Sequence, residues 1–145
     1  MDNLIIRKLK KEDAEEISEI YRTITKIKDV DDFRKIVADQ AQRDEDASFV
    51  AETNGKLVGY LISYTLISGF GLPTSAWVAN IGVNPKFMGQ GIGEKMAEEI
   101  FKYYRDKRIK DIYTSVLWDS TDLLSFFKTL GFDRSEFINL KKSLA

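Results

Sequence analysis

The 145-residue sequence predicts an α/β fold, a mixed and mainly antiparallel twisted sheet flanked by helices, and three observations carry that expectation. Asn54-Gly55 lies between two apolar β-prone runs, residues 49–53 and 57–67; the dipeptide accepts the positive φ values of a tight turn, so the runs form an antiparallel hairpin. A strand-like run, 75–83, feeds a turn with Gly89, Gly91 and Gly93 that opens a helical pattern. Apolar residues recur at helical spacing in three further places, which supplies the flanking helices.

Residues 4–9 read as a first strand, followed after a charged cluster by a helix with Ile17, Ile20, Tyr21 and Ile24 on one side. A second helix is expected over 30–41, with Phe33, Ile36 and Val37 inward and Asp29 or Asp31 as N-cap. The hairpin comes next, then a Gly/Pro-rich break at 68–73 and the strand at 75–83. The helix after the glycine turn places Ile92, Met96, Ile100 and Tyr103 or Tyr104 on one stripe, with Glu98 and Lys102 paired outside. A strand at 112–117 leads to a helix capped by Asp119 or Ser120, with Leu123, Leu124, Phe126, Phe127 and Leu130 on its apolar side. Gly131 stops that helix in the left-handed conformation and Phe132 folds back on it; 136–144 reads as a last strand.

An apolar content of 43% over this length suits one core and falls short of two ordinary domains, so a single domain over 1–145 is expected. The 22 basic and 23 acidic residues nearly cancel, which leaves no field to recruit nucleic acid. With no cysteine and no histidine, thiolate and Ser-His-Asp mechanisms are excluded, the usual zinc ligand sets are missing, and no metal is expected. The first eight residues hold no apolar leader and no run of eighteen apolar residues occurs, so a cytoplasmic protein without a membrane partner is expected. The sequence leaves monomer and homodimer both open.

The glycine turn carries the chemistry. A strand that ends in such a turn and opens a helix leaves backbone N–H groups converging on one point, with the positive end of the helix dipole behind them, and that is a phosphate site. Glycines alone also serve any strand-to-helix turn; the strand before and the amphipathic helix after favour phosphate. A dinucleotide-binding fold would place its glycine turn after the first strand of a parallel series, whereas an antiparallel hairpin precedes this one.

The order of elements resembles the GNAT superfamily of acyl-CoA-dependent N-acyltransferases, over nearly the whole chain. The sharpest match is the family's phosphate motif, Gln or Arg, two free residues, Gly, one free residue, Gly or Ala, which falls on Met88-Gly89-Gln90-Gly91-Ile92-Gly93. The resemblance implies that acetyl-CoA is the co-substrate, its pyrophosphate held by the backbone from Met88 to Glu94, its pantetheine arm added to the exposed strand edge at Asn80, Ile81, Gly82 and Val83. It implies splayed strands at the glycine turn and a backbone N–H that stabilises the oxyanion. Met88 departs from the usual Gln or Arg, which removes a side-chain contact and leaves the backbone cradle.

A second matching region is 120–132. Phe126, Gly131 and Phe132 keep the family pattern, while Ser120 replaces its Asn, Leu123 its Ala and Phe127 its Tyr. That Tyr commonly protonates the leaving thiolate; Phe127 has no proton to give, so another group or water takes the role. Ser120 and Phe127 are carried over as cofactor-contact positions. No acid stands on 75–83 to deprotonate the amine, where the polar choices are Trp77 and Asn80. Tyr113 and Ser115, on one face of the next strand, are the candidate catalytic residues by family position and parity. The expected acceptor side comprises Tyr60, Tyr64 and Phe70, with Asp29, Asp31, Asp32, Asp44, Glu45 and Asp46 drawing in a cationic amine, whether a small molecule or a polypeptide. The implied function is direct acetyl transfer to a primary amine; the alternative is a non-catalytic acyl-CoA-binding or regulatory module.

Overall fold

The computed structural model describes residues 3–43, 46–67 and 73–145, and the chain forms two compact units divided after Ser115. The first holds a five-stranded sheet in the order β1 (Leu4–Lys8), β2 (Phe49–Thr53), β3 (Lys56–Leu66), β4 (Ser75–Val83) and β5 (Ile112–Thr114). The first four strands pair antiparallel and β5 joins β4 in parallel, which makes the sheet mixed as expected. Asn54 and Gly55 adopt φ of 52° and 79°, the geometry for which the hairpin turn selects Asn-Gly.

Helices α1 (Ala14–Thr25) and α2 (Asp31–Ala41) cover one face of the sheet. Ile17, Ile20, Phe33 and Val37 pack there with Val50, Leu57, Tyr60 and Ile62. Helix α3 (Ile92–Asp106) covers the other face, with Ile92, Met96, Ile100 and Tyr104 buried. The Tyr104 hydroxyl lies 2.7 Å from Ser63 Oγ and accepts the Ala47 N–H, while Ser63 donates to the Ala47 carbonyl.

Register is irregular at two points: Val58 is an extra residue in β3 opposite β2, and the other irregularity is functionally placed. Ser63 opposes Val78 and Ile62 opposes Asn80, so Ala79 is an extra residue in β4. This bulge reverses parity: Trp77, Asn80 and Gly82 share the α1/α2 face with Tyr64, Ile62 and Tyr60. Pairing with β5 ends at Val78, immediately before the bulge. A bulge twists its strand locally, and β4 accordingly runs on through Val83 without a β5 partner. β5 is the edge of the described sheet, and β4 keeps a free edge beyond its end.

Several sequence expectations are corrected. The N-cap of α2 falls on Val30, and Asp29 Oδ1 instead accepts the Asp31 N–H at 3.1 Å, an Asx turn that leads into the helix. Ile24 and Ile36 are exposed because the inward stripes are narrower than the apolar pattern. Glu98 and Lys102 form no ion pair among the described residues. Strand β5 stops at Thr114 rather than 117. The Gly/Pro break at 68–72 lies outside the described residues.

In the second unit α4 spans Thr121–Thr129, and the N-cap is Ser120 as expected, without a side-chain cap bond. Gly131 has φ of 96°; its N–H reaches the Lys128 carbonyl and that of Phe132 the Phe127 carbonyl, each at 3.0 Å. This pair of bonds is the Schellman motif, closed by the Phe127 and Phe132 rings at 5.1 Å. The last expected strand does not form: 136–144 has no strand. At its start the Phe137 N–H bonds Ser135 Oγ, a local turn that competes with a ladder.

Candidate functional site

The glycine turn is tied to the hairpin before it. The Asn84 N–H donates to the Val58 carbonyl at 2.8 Å, and Asn84 Oδ1 accepts the Lys86 N–H at 3.0 Å, capping a single 3-10 turn over Pro85–Phe87. Gly89 and Gly91 then take φ of 79° and 78°, where any Cβ is strained. Gly91 is the N-cap of α3, and Gly93 is already within the helix.

The first bond of α3 runs from the Lys95 N–H to the Gly91 carbonyl at 3.0 Å. The N–H groups of Ile92, Gly93 and Glu94 therefore have no intrahelical acceptor, and a glycine N-cap supplies no side chain to take them. A Cβ built on Gly89 or Gly91 meets nothing within 4 Å. The glycines are thus required by backbone conformation, and the turn opens onto free space over donors at the positive end of a four-turn helix. An anionic diphosphate fits that donor set. Gln90 is exposed, and so is Met88, which leaves its side chain free to be replaced. Among the described residues no acidic group converges into a metal site.

Ile81 and Val83 are half-buried on the length of β4 that pairs with β3 alone, and Gly82 between them is buried. A Cβ on Gly82 would stand 2.6 Å from Cε1 of Tyr60 and 2.7 Å from its Cζ and Oη. The glycine lets the Tyr60 ring lie flat on the strand. Tyr60 is 1% exposed, edge-on to Phe33, which stacks on Tyr21. Its hydroxyl donates to Asn80 Oδ1 at 3.1 Å. Burial, with a smaller effect from Tyr21, pushes the Tyr60 phenol well above its ordinary pKa, so it stays a donor.

Tyr113 stacks on Trp77, its register partner, with ring centroids 4.9 Å apart and planes at 24°. The two rings share the sheet face of Asn80. Ser115 lies just beyond β5, and the first unit ends with it. In the second unit Phe127 is buried, with Phe126 and Phe132 rings at 5.3 and 5.1 Å; the position is a packed aromatic.

The acceptor side is corrected in two respects. Tyr60 belongs to the core rather than to an exposed wall. Asp46 is also buried, its carboxylate accepting from the Thr65 N–H and hydroxyl at 2.8 Å each and from Gln40 Nε2 at 2.8 Å, which ties it down as a structural anchor. Asp31 pairs with Arg34 at 2.7 Å, while Asp44, Glu45 and Phe70 lie outside the described residues. Sequence reasoning missed the Tyr60–Asn80 bond. Its available signal was a glycine inside a strand, which marks a bulge or a close approach.

The comparisons agree with this geometry. The chain is 34% identical over 100 residues to an uncharacterized N-acetyltransferase of Methanocaldococcus jannaschii; the match covers 67% of this chain and 43% of that protein, so the chain spans less than half of its relative's length. Among solved structures, an aminoglycoside N-acetyltransferase in complex with CoA superposes with a TM-score of 0.82 at 17% identity, covering 98% of this chain and 95% of that one. An aminoglycoside acetyltransferase from an uncultured soil metagenomic sample gives 0.80 at 19%, covering 99% and 98%. A ribosomal-protein-alanine N-acetyltransferase from Brucella melitensis gives 0.79 at 15%, covering 98% and 99%. At these identities the structural likenesses speak for the fold. No helix among the described residues is long and apolar enough to cross a membrane. The Acetyltransferase (GNAT) family model matches residues 14–132, on both sides of the division after Ser115, and the chain belongs to the GNAT family of acetyltransferases.

Proposed function

We propose that the protein transfers an acetyl group from acetyl-CoA to a primary amine by direct attack, acting as one domain over residues 1–145. The observation that carries this reading is the open turn at the head of α3, where the amides of Ile92, Gly93 and Glu94 lack helical acceptors, after the end of β4 that has no β5 partner. The backbone from Met88 to Glu94 holds the diphosphate. The edge at Ile81, Gly82 and Val83 offers in-plane N–H and C=O groups to the pantetheine amides, as a sheet accepts an added strand.

Acetyl-CoA, when bound, supplies a thioester carbon on which the amine nitrogen forms a C–N bond as the C–S bond breaks, one proton passing from nitrogen to sulfur. The chain's own part is to orient and to exclude water. Tyr113 and Ser115 are the groups we place near the amine proton; Ser120 and Phe127 are co-substrate positions by family resemblance alone. Free thiols have pKa of about 8.5, so the thiolate leaves without a dedicated acid at position 127. The aminoglycoside and ribosomal-protein-alanine acetyltransferases that share the fold are N-acetyltransferases of amines by name, which supports an amine acceptor.

The second reading, an acyl-CoA-binding module without turnover, draws on Phe127, an aromatic without a proton donor packed between two others. Calorimetric titration with CoA and release of CoA from acetyl-CoA over a panel of amines separate the two. Binding with amine-dependent release is expected; binding without release favours the module, and no binding refutes both.

Restoring a cation at the exposed Met88 tests the cradle from the other side. Met88→Arg is expected to tighten CoA by a charge-assisted contact of at most about 1.5–3 kcal/mol, and the gain should shrink as salt is raised. Unchanged affinity at low salt would mean that this side chain points away from the phosphates.

A further inference from the structure

Resting on the acyltransferase reading above, we infer that Asn80, held in place by Tyr60, selects acceptors that carry a carbonyl oxygen next to the amine. Asn80 is the first residue after the Ala79 bulge and lies past the end of β5 pairing. The bulge turns its side chain to the α1/α2 face, shared with the stacked rings of Trp77 and Tyr113. Without the extra residue it would face α3.

The carboxamide is oriented, not merely present. Its Oδ1 takes the Tyr60 hydroxyl at 3.1 Å, and Tyr60 itself is fixed by Phe33 on one side and by the bare Gly82 backbone beneath its ring. With the oxygen engaged, Asn80 presents its two N–H donors, and no acceptor among the described residues takes them. The side chain is half-buried, on the length of β4 that has no β5 partner.

The direction of the group decides what it binds. Backbone edge groups point in the plane of the sheet, where the pantetheine arm lies, while side chains stand perpendicular to it. Asn80 therefore rises above the edge, on the side from which an acceptor reaches the thioester. A neutral donor at that point gives no attraction for an additional ammonium group and pairs with a carbonyl oxygen. Where a carboxylate would favour diamines, this site favours α-amino amides. Of the acidic residues that sequence reading assigned to amine attraction, Asp46 and Asp31 are held by internal partners.

The test compares glycinamide with propylamine as acceptors for the full chain and for Asn80→Ala, Asn80→Asp and Tyr60→Phe. Each variant is referred to the parent on the same amine, so the different basicities of the two amines cancel. Asn80→Ala is expected to lower kcat/KM for glycinamide about tenfold, chiefly through KM, and to change propylamine less than about twofold. Asn80→Asp should lose glycinamide similarly, because its second oxygen accepts instead of donating. Tyr60→Phe keeps the ring and its packing and removes only the hydroxyl that holds Asn80; it should shift the same ratio in the same direction by about threefold, with the melting temperature checked alongside. The pantetheine arm meets the backbone edge and not the Asn80 side chain, so CoA affinity by calorimetry should be unchanged throughout. Equal losses on both amines, no loss, or a CoA-binding parent that acetylates neither would overturn the inference alone. A parent that does not bind CoA would overturn it together with the reading on which it rests.

Discussion

Gly91→Val is expected to weaken CoA binding by at least about tenfold while the domain still folds. Gly91 sits at φ 78°, ψ 13° as the N-cap of α3, and an L residue there bears about 1–2 kcal/mol of backbone strain, a β-branched one more. The space above it is open, so packing places no obstacle in the way of the new side chain. The damage is local: either the turn holds and the branched Cβ stands in front of the Ile92 and Gly93 amides, or the peptide rotates to relieve strain and those amides turn away. Gly55→Val is the matched control, since Gly55 has φ of 79° and equally open surroundings at the tip of the β2–β3 hairpin. Both variants should lose similar stability, and only Gly91→Val should lose CoA. Parent-like affinity in Gly91→Val, measured by calorimetry at fixed salt, would remove the turn from the binding site.

What could be read from the sequence is what local chemistry determines. The β2–β3 hairpin is fixed by Asn54-Gly55, β4 by its β-prone run, α3 by its stripe and α4 by Gly131, each a signal contained within a few residues. The glycine turn belongs with these, because positive φ at Gly89 and Gly91 is a property of the residue type. The features that escaped are set across strands. Nothing around Ala79 announces a bulge, which arises from the register of β3 against β4; with it went the facing of Asn80 and its bond to Tyr60. Tyr60 and Asp46 read as acceptor-side groups because sequence composition does not reveal which polar side chains find partners in the interior. The segment 136–144 looked like a strand for the converse reason: β propensity describes a residue's fit to a pleated surface, while the Ser135 turn spends the first backbone donor locally.

Arg7→Met is expected to destabilise the protein by about 3 kcal/mol at neutral pH and far less near pH 4. Arg7 on β1 donates to both oxygens of Asp13, at 2.8 and 2.9 Å, and through Nε to Glu52 at 2.9 Å, joining β1, β2 and the turn before α1. Asp13 is 7% exposed and also accepts the Lys10 N–H at 2.8 Å. Burial works against its charge, but the hydrogen bonds from Arg7 and Lys10 outweigh it and hold its carboxyl below the ordinary range. A folded pKa below the unfolded value of about 3.9 contributes stability that is fully present above that value and is lost as pH falls through the folded pKa. Hydrogen bonding to Asp13 raises the Arg7 guanidinium further above its already high pKa, so it remains charged throughout. In Arg7→Met the carboxylate stays buried without its cation, the costly half of a broken pair, which accounts for the size of the loss. Burial then prevails and the sign reverses: the Asp13 pKa moves up, and protonation between pH 7 and 4 relieves the variant, while the parent keeps its contribution until the pH falls below about 3.9. The stability gap, from chemical denaturation between pH 7 and 4, should therefore narrow on acidification, and Arg7→Met combined with Asp13→Asn should recover much of it at pH 7. A gap that stays constant over that range would mean that Arg7 stabilises through the packing of its stem and not through the charge on Asp13.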